Sequence, residues 1–254
     1  MRSVRYIPIL ISLIIASLSP SDYKAVANSE RDRSPTINPS STPVSLKFKL
    51  PPRGAPGTRK GAAARDSCLQ SAEQLTALIP GTNLGLTVTE RPTFWFYIPH
   101  RANEKYALEF TLKYREQNQV YQTTLPWNNN PGIIEISLPE SISPLEIDKF
   151  YSWQLKLDCD SKKSSDYRLV KGRVQRVTIA PELQNKIATA TPKERVQLYA
   201  ESGLWFDTLT NLIELRNLSP EDKQLEANWI DLLEEVNLEE IIDKPIVYCC
   251  ETKQ

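Results

Sequence analysis

The stretch 145–159, LEIDKFYSWQLKLDC, decides the fold of this chain. From Tyr151 to Cys159, apolar residues alternate with polar ones that begin at Ser152 and end at Asp158. A strand points successive side chains to opposite faces, so this alternation puts the apolar set on one face and the polar set on the other. The stretch therefore predicts a half-buried strand of an antiparallel sheet.

Six further segments predict strands, and turn residues separate them. Segments 106–114 and 134–138 repeat the alternation. The others are 84–88, 93–98, 120–125 and 169–179. Seven short strands within about one hundred residues are typical of a β-sandwich of the immunoglobulin or fibronectin type III kind. We therefore expect an antiparallel β-sandwich domain over residues 68–180.

A local pattern at the start of the deciding strand favours the same fold. Leu145 lies before a polar turn, and Tyr151 follows that turn at the start of the strand that contains Trp153. This arrangement resembles the leucine and tyrosine corner of fibronectin type III domains. The resemblance implies that the hydroxyl of Tyr151 hydrogen-bonds back to the turn.

From residue 181 the apolar period becomes helical. Thr191 is a good N-cap for a helix that starts at Pro192, and Gly203 ends that helix. The spacing from Gly203 to Pro220 resembles the second half of a tetratricopeptide repeat. A third helix is expected to begin at 219–221. The prediction for 181–254 is one helical hairpin, a capping helix and a Cys-Cys end, too few helices for a peptide-binding solenoid.

Residues 1–27 have the parts of a secretory signal peptide. Two arginines precede the apolar core 6–18, YIPILISLIIASL, and the small-x-small pattern Ala-Val-Ala ends at Ala27. The core is too short to span a bilayer, which takes about twenty apolar residues, and no later segment approaches that length. We expect cleavage near Ala27 and an exported protein, in the periplasm or outside the cell, with no transmembrane segment in the mature chain.

Residues 28–67 are rich in proline and serine and end in the basic run 51–65, PPRGAPGTRKGAAAR. Such a composition buries too little apolar surface to offset the entropy of ordering, so a disordered linker is expected. The alternative is a cationic tether for an anionic wall polymer, a membrane surface or an acidic partner.

The four cysteines are Cys68, Cys159, Cys249 and Cys250. In an oxidising compartment they predict disulfides, and their spacing fits neither a zinc site nor a redox pair. Three pairings are possible. The two that crosslink distant parts of the chain are favoured over the adjacent pair, and the sequence does not choose between those two.

Composition and motifs limit the function classes. The chain has 31 basic and 31 acidic residues, a balance that argues against nucleic acid as the main partner. His100 is the single histidine, which rules out a histidine-rich metal site. No phosphate loop, dinucleotide fingerprint or nucleophile elbow is present in the sequence. We predict no catalytic residue, no metal ligand and no cofactor.

The aromatic segment 93–98, TFWFYI, is apolar on both faces. One face belongs to the sandwich core, and the face that carries Trp95 and Tyr97 needs another cover. The favoured cover is the C-terminal helices. A partner is the alternative, with Trp95 and Tyr97 as anchors and with Trp205 and Phe206 as further binding candidates.

Three stretches together resemble a known family. They are the basic run 51–61, the string LGLTVTERPTFWFYIP at 84–99, and residues 198–215 with the later Cys-Cys pair. They resemble exported cyanobacterial proteins grouped as domain of unknown function number 928. The resemblance covers about 50–250 and implies export, but it implies no activity.

Two function classes follow. The first is an exported non-enzymatic interaction or scaffold protein of the cell envelope, whose partner is an envelope protein or polysaccharide. The alternative is a carbohydrate-binding module or an envelope enzyme that acts on glycans. A pocket that holds two acids about 5 to 10 Å apart beside an aromatic wall favours the enzyme, whereas an exposed coplanar aromatic pair favours the binding module.

Overall fold

The computed structural model describes residues 45–61, 73–99, 101, 106–115, 118–127, 130–158 and 167–247. The predicted signal peptide, His100 and all four cysteines lie outside these residues. The described residues belong to a single compact unit, Thr42–Gln254.

Eight strands precede four helices. The strands are β1 (Thr76–Ala77), β2 (Leu84–Thr87), β3 (Thr93–Ile98), β4 (Ala107–Tyr114), β5 (Asn118–Pro126), β6 (Gly132–Ser137), β7 (Phe150–Asp158) and β8 (Tyr167–Arg176). The helices are α1 (Pro181–Thr189), α2 (Pro192–Glu201), α3 (Trp205–Leu218) and α4 (Lys223–Glu235), followed by a 3₁₀ turn, Glu239–Ile241. All seven predicted strands are present with small shifts at their ends. Strand β1 was not predicted because two residues are too few to show a period.

The strands form two sheets, ordered β1-β3-β6 and β2-β8-β7-β4-β5. All neighbours are antiparallel except β2, which lies parallel to β8 with Leu84 opposite Arg173. The expectation of a wholly antiparallel sandwich is therefore wrong at β2. The physical reason is that alternation reports which face of a strand is buried and carries no information on the direction of its neighbour.

The deciding stretch folds as its pattern predicts. Tyr151 and Trp153 are buried on the inward face of β7, and Leu145 is fully buried before the turn. The backbone N–H of Glu146 donates to the hydroxyl of Tyr151 at 3.1 Å. The hydrogen bond implied by the tyrosine-corner resemblance is present.

The helices begin and end at sequence signals. Thr191 caps α2 through a capping box with Glu194. Gly203 has a φ of 72°, and a Cβ there would lie 2.6 Å from the carbonyl oxygen of Lys49, so both conformation and space require glycine. Two expectations need correction: α4 begins after the N-cap Asp222 rather than at 219–221, and α1 precedes the predicted hairpin as an additional helix.

Residues 45–61 correct the expectation of a disordered linker for this part of 28–67. Leu46 and Phe48 are buried, and the ring of Phe48 packs edge-on against Trp205 with a centroid distance of 5.0 Å. Farther along, Thr58 forms an antiparallel bridge with Lys171 of β8. A few apolar side chains with ready partners are enough to order a segment whose average composition predicts none.

One apolar core includes side chains from both sheets, from α2, α3 and α4, and from segment 45–61. Side chains of the helices therefore share one core with the two sheets instead of forming a separate one. Among the described residues, no helix has the length and apolar character needed to cross a membrane.

Candidate functional site

Helix α3 covers the second aromatic face of β3. Trp95 donates its indole N–H to Oγ1 of Thr210 on α3 at 3.0 Å. In the other direction, Trp205 donates its indole N–H to the carbonyl of Leu78 at 2.8 Å. These reciprocal bonds satisfy the polar atom of each buried indole. The interpretation favoured from the sequence was that the C-terminal helices cover this face.

Phe206 joins α3 to the sandwich beside these tryptophans. Its ring packs against Phe94 at 5.1 Å, and a Cβ on Gly85 would lie 2.5 Å from the same ring. Gly85 is thus required for the close approach of α3 to β2. Trp95, Trp205 and Phe206 are interior side chains, so the alternative in which they anchor a partner loses the exposed surface on which it depends.

A buried carboxylate fixes the first turn of α3. Asp207 is 4% exposed and accepts hydrogen bonds from the backbone N–H of Val88 at 3.1 Å and from Oγ1 of Thr89 at 2.7 Å. Burial raises the pKa of Asp207, and these donors partly oppose the rise. The sequence did not reveal this contact, although an acid between apolar residues in LWFDTL was a usable signal.

Tyr97, one of the predicted binding candidates, lines a cavity. Its ring is buried, and its hydroxyl lies at a 310 Å³ cavity. We call this cavity the Tyr97 pocket and define it by Lys60, Glu73, Gln74, Thr76, Tyr97, Glu240, Ile241 and Lys244. Residues from four separate parts of the chain meet there, so sequence spacing gives no signal for it.

Ion pairs organise the Tyr97 pocket. Lys60 pairs with Glu240 at 2.6 Å, and Lys244 pairs with Glu73 at 2.5 Å. The hydroxyl of Tyr97 donates to Glu73. The ammonium of Lys244 also lies 5.3 Å from the centre of the Tyr97 ring, within reach of a cation–π interaction.

These contacts determine the protonation states in the Tyr97 pocket. Hydrogen bonds from Lys244 and Tyr97 lower the pKa of Glu73. Burial and the neighbouring Glu73 carboxylate raise the pKa of the Tyr97 hydroxyl, which keeps it a hydrogen-bond donor. A general acid needs a pKa near the working pH, and Glu73 is shifted away from that range. The pocket is built to hold polar groups in place.

A second, shallower groove shares Lys244 with the Tyr97 pocket. Its volume is 260 Å³, and it runs past Arg216, Asp222 and Glu226. Arg216 pairs with Glu226 at 2.6 Å, so charges of both signs are again matched. Within the described part of the chain, no group of histidine, cysteine or acidic residues is arranged to hold a metal ion.

Comparison with known families identifies one match. The family model described as Domain of Unknown Function (DUF928) matches residues 57–246, a range that holds every strand and helix and the whole Tyr97 pocket. No curated protein matches the sequence. Because the matched range is well over half of the chain, this protein belongs to the DUF928 family.

Proposed function

We propose that this protein is an exported, non-enzymatic interaction or scaffold protein of the cell envelope. The observation that carries the proposal is the pairing of both carboxylates in the Tyr97 pocket, Glu73 with Lys244 and Glu240 with Lys60. A carboxylate held in place by a lysine suits a structural or binding role better than proton transfer. The partner is an envelope protein or polysaccharide.

The finer fold assignment belongs to the same proposal. The orders β1-β3-β6 and β8-β7-β4-β5 correspond to strands A-B-E and G-F-C-C′ of an immunoglobulin-like sandwich. The tyrosine corner at Tyr151 supports this assignment. The α2–α3 pair around Gly203 supports the likeness to a tetratricopeptide hairpin. Sandwiches and helical hairpins are frequent binding scaffolds, which is support by analogy of fold.

Export and disulfide formation complete the proposal. Cleavage near Ala27 delivers the mature chain to an oxidising compartment, where at least one disulfide ties Cys249 or Cys250 to Cys68 or Cys159. N-terminal sequencing of the exported protein and mass spectrometry of non-reduced digests test these two points. Retention of residues 1–27, or four free thiols, contradicts them.

The test of function uses the mature chain, 28–254, crosslinked within its own envelope and recovered by affinity. One protein or one polysaccharide is expected at a fixed ratio to the chain, and protease or glycosidase treatment distinguishes the two. In parallel, the mature chain is incubated with the envelope polysaccharide, and the release of soluble glycan fragments is measured over time. No release is expected.

The enzyme alternative has its own matched variants. If glycan fragments appear, Glu73→Gln and Glu240→Gln test the two acids of the Tyr97 pocket, and Glu182→Gln on the exposed face of α1 is the control. Loss of release in either pocket variant, with release kept in the control, overturns the non-enzymatic proposal.

The carbohydrate-binding alternative is supported by one observation, the hydroxyl of Tyr97 bonded to Glu73 among the polar side chains of the Tyr97 pocket. Tyr97→Phe removes the hydroxyl and keeps the ring. Weaker binding of an envelope polysaccharide by this variant, without a change in melting temperature, favours the carbohydrate-binding module over a protein partner.

A further inference from the structure

The chain covers the edge of β1, and the beginning of the β6 edge, with its own segments. At β1, the backbone N–H of Ala77 donates to the carbonyl of Arg59, and the N–H of Gly61 donates to the carbonyl of Leu75, both at 2.7 Å. Segment 59–61 therefore satisfies the edge of β1. Such covering matters because an open edge presents unpaired donors and acceptors to any other chain.

Another edge is covered in part. At the start of β6, the N–H of Ile133 donates to the carbonyl of Pro245 at 2.7 Å, and the N–H of Val247 donates back to Ile133 at 2.8 Å. Segment 245–247 thus pairs with the beginning of this strand.

Strand β5 ends the five-stranded sheet and pairs on one side with β4. On its other side, no backbone hydrogen bond joins it to any other described residue. A register shift falls near its beginning, opposite Leu112 and Lys113, and the pairing from Tyr121 to Pro126 is regular. This strand is therefore the long open edge of the described fold.

The composition of β5 lacks the usual protection against pairing. Its nine residues, NQVYQTTLP, include no charged side chain, and the proline stands at the last position. Charged side chains, prolines and β-bulges commonly protect an edge. Strand β5 has a bulge near its beginning and a proline at its end, and the regular part between them has neither protection.

We propose that β5 is a self-association edge that pairs with β5 of a second copy of this chain. The pairing is antiparallel about a two-fold axis near Gln122 and joins two five-stranded sheets into one. A two-fold contact brings each strand against itself, so like charges on it would face each other. An uncharged strand meets that requirement.

The strand length sets the strength of the contact. Nine strand residues extend about 30 Å. The surface area buried by one strand-to-strand contact of that length is smaller than the roughly 1,200 Å² that stable interfaces bury. The expected dimer is therefore weak and depends on concentration, with a dissociation constant on the order of micromolar to hundreds of micromolar. This inference does not depend on the proposed function.

The test is sedimentation of the mature chain from about 1 to 500 µM, together with a charge swap at the exposed Gln122. The parent should shift from one copy to two as concentration rises. Gln122→Lys and Gln122→Glu should each raise the dissociation constant at least about tenfold, because each places like charges at the axis. An equimolar mixture of the two variants should recover the dimer.

Gln184→Lys and Gln184→Glu, at an exposed position of α1, are the matched controls and should leave the dimer unchanged. Hydrogen exchange on the parent gives a measurement that needs no variant, since β5 amides should gain protection with concentration. A parent that stays a single copy, a dimer insensitive to Gln122, or a mixture that fails to recover overturns the proposal. The proposal is also overturned if an envelope peptide slows hydrogen exchange of the β5 amides and a second copy of the chain does not.

Discussion

Helices α3 and α1 form under opposite influences. Helix α1 has good local signals: proline in the first turn, Glu182 near its start and Lys186 near its end. Yet it buries no residue. Neither helix has a side-chain cap, but α3 buries seven of its fourteen residues. The first is stabilised by its own sequence, and the second by the sandwich on which it packs.

This contrast assigns the two helices to different levels of stability. A nine-residue helix is marginal by itself in water, so α1 should open locally at a small free energy. Helix α3 forms part of the common core and should open only in global unfolding. Substitutions can break or sharpen this contrast.

The largest effect is expected for Trp205→Ala in α3. The side chain is fully buried and bonded to Leu78, so its loss should cost about 3–5 kcal/mol of unfolding free energy. Urea denaturation measures this cost. A loss under about 1 kcal/mol would break the contrast, because α3 would then be no better anchored than α1.

Asp207→Ala should lower the free energy of unfolding by about 1–3 kcal/mol, since it leaves the N–H of Val88 and the hydroxyl of Thr89 without their acceptor.

Asp207→Asn tests the charge of this side chain separately. Because the folded state raises the pKa of this carboxyl, the folded protein holds a proton that the unfolded chain releases near pH 4. Parent stability, relative to the Asn variant, should therefore fall as pH rises from about 4 through the raised pKa.

Urea denaturation across the pH range from about 3.5 to 8 checks this sign. A difference between parent and Asp207→Asn that grows with pH would mean that the hydrogen bonds to the carboxylate outweigh its burial.

Arg59 extends the comparison to α4. Its guanidinium donates to the carbonyls of Val236 at 2.5 Å and Asn237 at 2.7 Å, beyond the last turn of that helix. Arg59→Met should lower stability by about 1–2 kcal/mol, whereas Arg53→Met at an exposed position should change it by less than about 0.5 kcal/mol. Equal melting temperatures for the two variants would show that the guanidinium adds no stability to α4.

The smallest effect is expected in α1. Leu183 and Ile187 are half-buried, and Leu183→Ala should change global stability by less than about 0.5 kcal/mol. Fast amide exchange over α1, with slow exchange over α3, would sharpen the contrast. Exchange in α1 as slow as in α3 would show that α1 is held by the core.

The sequence predicted the patterns that lie within one strand or helix, but it did not predict the tertiary contacts between distant elements. Alternation marked β4, β6 and β7, and Thr191 with Pro192 marked α2, because these signals lie within a few residues. The parallel partner of β2, the order in segment 45–61 and the Tyr97 pocket depend on tertiary contacts. Tyr97 was selected for its ring, whereas Glu73, Glu240 and Lys244 are ordinary charged residues until the fold brings them together.

The contacts of segment 45–61 have a consequence for the order in which the chain is made. The N–H of Leu46 bonds to the carboxylate of Asp231, 185 residues later, and Arg59 bonds to Val236, 177 residues later. A ribosome releases the segment long before its partners exist. The two hydrogen bonds to Asp231 and Val236 can therefore form only after nearly the whole chain has emerged. The contacts of the same segment with β1, β8 and α3 can form earlier, so the segment docks in stages.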